Sequence, residues 1–172
     1  MEIIEGLRRI TLIGAVAFVA GCGNPEAEGV APPMEASPLF GTVRVEPMKG
    51  ELVLRLDRAP GKPEPAFLGV LVNDGASGVK ACYVLVEVAA GVARLVNDNG
   101  AGSAAAGGDG RVANGQCEVK AGPVLRSKQR VAVRLGLKGK PGFGGAKQIY
   151  TIAMDGNGQG TELAPAGTWS FE

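Results

Sequence analysis

The stretch Arg130–Lys138, RVAVRLGLK, alternates without a break. Val131, Val133, Leu135 and Leu137 fall on one side, and Arg130, Ala132, Arg134, Gly136 and Lys138 on the other. In an extended chain successive side chains point to opposite faces, so this is a strand with one apolar and one polar face. Such a strand belongs to an antiparallel sheet with one face on a core and the other in water. A helix would scatter the four aliphatic residues around its axis and bury none of them together.

The same period recurs on either side. ELVLRLD (51–57) places Leu52, Leu54 and Leu56 on one face and Val53 and Arg55 on the other. AFLGVLV (66–72) is a continuous apolar run, as expected of a central strand. TVRVE (42–46), ACYVLVEV (81–88), VARLV (92–96), QCEV (116–119), KQIYTIAM (147–154) and GTWSF (167–171) complete the series. Glycine, at 28 of 172 residues, favours turns and opposes long helices. About nine short antiparallel strands separated by Gly-, Asn- and Asp-rich turns predict an all-β fold, a β-sandwich. The glycine-rich segment 97–115 has too few apolar residues to pack and reads as a long loop.

The first forty residues have a different character. Arg8 and Arg9 precede a short apolar run that ends at Cys22. A bilayer-spanning helix needs roughly 20 apolar residues, so this run fits the core of a secretory signal peptide instead. Its end, Val19-Ala20-Gly21-Cys22, resembles the lipobox of bacterial lipoproteins. The resemblance implies cleavage before Cys22 and a diacylglyceryl group on its sulfur, the lipid anchor. Gly23, where retention in the inner membrane would need Asp, implies the outer membrane. Acyl chains contribute about 0.8 kcal/mol per buried methylene, so two or three hold firmly. Residues 23–39 carry four prolines, three glutamates and no basic residue, the composition of a disordered tether. The expected organisation is a signal peptide at 1–21, a lipidated cysteine and Pro-rich tether at 22–40, and the sandwich at 41–172.

With Cys22 assigned to lipid, Cys82 and Cys117 remain. An even pair in an oxidising compartment is expected to form a disulfide, two buried free thiols being the alternative.

Five short motifs then occur in order: Ala81-Cys82-Tyr83, Leu95–Gly100, Asn114-Gly115-Gln116-Cys117, Phe143–Lys147 and Gly167-Thr168-Trp169. Together they resemble an immunoglobulin-like β-sandwich module of secreted acidobacterial-type proteins, over residues 41–172. The resemblance implies the sandwich and the disulfide and no enzymatic activity. Two aromatic positions of that pattern are absent here: Ala93 and Arg94 stand at the first, and GNGQGTELAP replaces a Ser-Gly-Trp at the second.

The chain has no histidine, which excludes a Ser-His-Asp or Cys-His arrangement and histidine zinc sites. No cofactor and no catalytic residue is indicated. Asp155, Asn157 and Gln159 space oxygen side chains like the opening of a calcium loop, but position twelve is Ala166 and the segment reads as a hairpin turn. The two LVND segments, ending at Asp74 and Asp98, read as turn-capping strand ends rather than a pooled calcium site. Charge is uneven: Lys120–Lys147 holds eight basic residues and no acidic one. Arg130, Arg134 and Lys138, on the polar side of the opening strand, form the candidate anion-binding face. The face reads first as a solvated surface whose charges protect a strand edge, with an anionic envelope polymer or glycan as the alternative partner. With no aromatic residues interleaved among those charges, nucleic acid is not expected. The functional expectation is a lipid-anchored envelope module with a binding or structural role.

Overall fold

The computed structural model describes residues 39–171. The expected signal peptide, Cys22 and nearly all of the expected tether lie outside the described residues.

Twelve strands and no helix occur among the described residues. They are β1 (Gly41–Met48), β2 (Glu51–Arg58), β3 (Phe67–Asn73), β4 (Cys82–Glu87), β5 (Val92–Val96), β6 (Ser103–Ala105), β7 (Arg111–Ala113), β8 (Cys117–Ala121), β9 (Leu125–Arg126), β10 (Arg130–Gly139), β11 (Gly145–Met154) and β12 (Ala164–Phe171). They form two antiparallel sheets. The first has the order β1-β2-β10-β8-β7, with β9 also on β10; the second runs β12-β11-β3-β4-β5-β6. The chain is an all-β sandwich.

The alternation of the opening strand is the organising feature of the first sheet. In β10, Val131, Val133, Leu135 and Leu137 are buried, and Arg130, Arg134 and Lys138 are exposed. Its register against β2 sets Val131 beside Leu56, Val133 beside Leu54 and Leu135 beside Leu52. Two local alternations thus become one aliphatic row. Each such side chain, fully buried, contributes roughly 1.5–3 kcal/mol. Val119 of β8 and Val43 of β1 extend the row. Phe40, at the boundary of the expected tether, is also buried in this core.

In the second sheet β3 is the central strand and is buried on both faces. Leu68, Val70 and Val72 join the core cluster. On the other side Gly69 and Leu71 are closed over by half-buried neighbours: Ile152, Leu85 and Tyr83 lie closest to Gly69. Trp169 and Phe171 of β12 pack edge-to-face at 6.2 Å, and Phe143 meets Phe171 at 5.4 Å.

Cys82 of β4 and Cys117 of β8 are bonded across the two sheets, with a Cα–Cα distance of 5.7 Å and no exposure. Asn114 works beside the bond. Its amide donates to the carbonyls of Ala81 and Val96 at 2.9 Å, and its Oδ1 accepts from the backbone N–H groups of Gln116 and Cys117. The Asn-Gly-Gln-Cys motif is therefore a polar clamp next to a covalent one.

The nine expected strands are all present. The three additional ones are short. β6 and β7 lie inside the segment expected to be a loop, paired with β5 and β8. Their backbone groups complete neighbouring ladders, a role that needs no apolar side chains. Val112 alone among their residues is buried.

Candidate functional site

The polar face of the first sheet holds a groove of about 850 Å³. Its floor includes Val53, Ala132 and Gly136; Val53 of β2 stands opposite Arg134, between Ala132 and Gly136 of β10. Met48 borders it from the end of β1, and Leu125 and Lys120 from the β8–β9 segment. Met48 and Leu125 are among the most exposed large apolar side chains, 49% and 66% exposed. Gly136 keeps the middle of the floor low, between Glu51 on β2 and Lys120 on β8.

The basic run divides into two sets. Arg126 is paired with Glu64, Arg130 with Asp57 at 2.9 Å, and Lys147 with Asp74 at 2.9 Å, while Lys147 also lies 5.0 Å above the Phe143 ring. The counter-charges missing from the run are supplied by residues about seventy positions earlier in the chain. Lys120, Lys128, Arg134, Lys138 and Lys140 have no ion pair among the described residues.

Arg130, Arg134 and Lys138 share the exposed face of β10 but differ in their surroundings. Arg130 is occupied by Asp57. Arg134 projects over the groove near Lys120, whose strand position faces Gly136, two residues along from Arg134. Lys138 lines a separate cleft at the end of the strand.

Asp57 organises the charged edge of the groove. It receives Arg130, and Arg55 at 3.3 Å, and Arg55 also holds Glu46 at 3.0 Å. Burial works against its ionised form. The hydrogen bond from Arg130 and the charges of Arg55, Arg130 and Arg44 outweigh that cost, so its pKa lies below the ordinary aspartate value. The result is a fixed cross-strand lattice on one side of the groove, with Arg134 and Lys120 free of it on the other.

The calcium-like segments are closed by their own hydrogen bonds. Asp155 Oδ1 accepts from the backbone N–H groups of Asn157 and Gln159, a turn cap of the kind expected. Asp98 accepts from Gly115 N at 2.9 Å, and Asp74 is held by Lys147, so the two aspartates are not pooled. No group of three or more metal-ligating side chains occurs among the described residues. In β5, Ala93 is buried and Arg94 holds Glu87 at 3.2 Å.

Sequence reasoning identified Arg134 and located Lys120 in the basic run. It did not identify Met48, Val53 or Leu125 as groove residues. Val53 was visible as an outward aliphatic in an alternating strand, but nothing local marks the other two. Comparison with protein-family models, curated proteins and solved structures finds no match for this chain.

Proposed function

We propose that this protein is a lipid-anchored, non-catalytic module of the bacterial cell envelope, held through Cys22, that binds an anionic polymer in the groove of its first sheet. The observation that carries the binding reading is the pair Arg134 and Lys120. Both border a concave site and neither has an ion pair among the described residues. Of the groove's other cations, Arg55, Arg126 and Arg130 are matched to carboxylates, so Arg134 and Lys120 are its cations without an ion pair, with Glu51 the carboxylate without one on the same lining. The anchoring reading is supported by the lipobox-like Val19–Cys22 and the preceding arginines. An immunoglobulin-like kinship, carried by the five motifs, belongs to the same proposal.

Chemically the groove offers cationic donors over a small aliphatic floor. Polyphosphate, phosphorylated glycan or a sulfated chain matches that arrangement, because an extended polyanion lies along a strand-lined trough and exchanges its counterions for Lys and Arg. Exposed charges act over a screening length of about 8 Å at physiological salt, so binding is expected to weaken steeply as salt rises.

The test is polyphosphate binding by the full chain carrying Cys22→Ala, which removes acyl insertion as a competing route. Arg134→Gln with Lys120→Gln is expected to abolish most of the low-salt affinity. Lys147→Gln, which disturbs only a cation already paired with Asp74, is expected to leave it nearly unchanged. No binding at low salt, or equal loss in both variants, refutes the groove.

A further inference from the structure

We infer that a second cleft, where the β1–β2 turn and the end of β10 meet the end of β12, binds a free organic acid with an apolar body. The cleft encloses about 830 Å³ and shares only Met48 with the groove. Its volume is within the usual range of small-molecule sites, about 300–1,000 Å³.

Two kinds of group meet there. Trp169, Phe171 and Leu137 are core residues, each at most 7% exposed, and Met48 lies at the outer side. They offer an aromatic and aliphatic lining. Lys49 and Lys138 stand on the same cleft, and no acidic residue lines it. Neither lysine has an ion pair among the described residues. Glu118, which faces Lys138 across the β10–β8 ladder, is taken by Arg111.

A separate observation concerns Trp169. Its indole Nε1 is buried and has no hydrogen-bond partner. Buried indole N–H groups ordinarily find an acceptor, and an orphan one calls for an explanation. An anion in this cleft would supply an acceptor to the two ammonium groups and to the indole N–H. Its charge is met by two ammonium groups, and its apolar body by the aromatic edge of the core. A neutral apolar ligand would gain no charge pairing from the two exposed lysines, and a fully hydrophilic anion would gain nothing from Trp169, Phe171 and Leu137.

Trp169 is the single tryptophan of the chain, so intrinsic fluorescence reports on the cleft directly. The Cys22→Ala full chain is titrated with decanoate and, separately, with the uncharged decanol. Decanoate is expected to shift Trp169 emission saturably, and decanol at the same concentrations is expected not to. Lys49→Gln with Lys138→Gln removes both charges from exposed positions and is expected to weaken decanoate by about tenfold or more. Arg134→Gln with Lys120→Gln is expected to leave it unchanged, which separates this site from the polyanion groove. Equal responses to decanol and decanoate, undiminished affinity in the Lys49/Lys138 variant, or an emission change with phosphatidylglycerol vesicles but not with decanoate would each overturn the inference.

Discussion

Breaking the Cys82–Cys117 bond is expected to lower the stability of the sandwich by about 4 kcal/mol. The bond closes a loop with a sequence separation of 35. For a loop of that size the chain-entropy relation gives about 12.7 cal/mol/K, or about 3.8 kcal/mol at 25 °C. Unfolding entropy of about 2.1 cal/mol/K per residue over residues 39–171 amounts to about 0.28 kcal/mol/K, so Tm should fall by about 14 °C. Two measurements separate the contributions. Parent protein kept reduced by dithiothreitol loses the cross-link and retains both sulfur atoms. The Cys82→Ala, Cys117→Ala variant loses the cross-link and also leaves space at two fully buried positions, so it should be less stable again. Urea unfolding followed by circular dichroism gives ΔG for each, and peptide mapping without reduction confirms the bond in the parent. The strands should persist below the new midpoint, because the aliphatic rows of β2, β10 and β3 do not depend on the bond. A reduced parent that melts within about 3 °C of the oxidised one would show that the unfolded chain is not restrained by this loop.

Three further outcomes are expected. Gly69→Ala would bring a methyl group to 2.6 Å from Ile152 Cγ2 and 2.9 Å from Leu85 Cδ2. Both must shift, so denaturant titration should show a loss of about 1–3 kcal/mol, and an unchanged midpoint would mean that the outer layer over β3 gives way freely. Asp57 has a folded pKa below the ordinary aspartate value, so the stability it supplies is present above that ordinary value and is lost as pH falls through the lower folded one. The stability difference between parent and Asp57→Asn should therefore be constant near neutrality and shrink in acid; a difference that grows as pH falls would reverse the assigned sign. Cys22→Ala should leave the precursor without lipid, read by intact mass and by loss from the detergent phase. A variant that still partitions like the parent would defeat the lipoprotein reading.

Much of the fold was legible because strand periodicity is local. Val131, Val133, Leu135 and Leu137 declare the inner face of β10 without reference to anything outside nine residues, and Leu52, Leu54 and Leu56 do the same for β2. The continuous run at β3 signalled a strand covered on both sides, and the pairing of Cys82 with Cys117 followed from the even count left by Cys22. Strand neighbours were not legible. That β10 lies between β2 and β8, and β3 between β11 and β4, depends on crossovers that no local pattern encodes. The short strands β6 and β7 were hidden for a related reason: they exist by completing the backbone ladders of β5 and β8, and their small side chains carry little signal. Charge shows the difference most directly. In sequence the run from Lys120 to Lys147 is uniformly basic. Folding brings Asp57, Glu64 and Asp74 onto Arg130, Arg126 and Lys147 from remote segments, because Coulomb pairing depends on distance in space and not along the chain. The same folding places Lys138 on one cleft with Lys49 and Trp169, residues at opposite ends of the domain sequence. Sequence alone determined which side chains face the core and which face water; tertiary structure alone decided which outward charges are left without a partner.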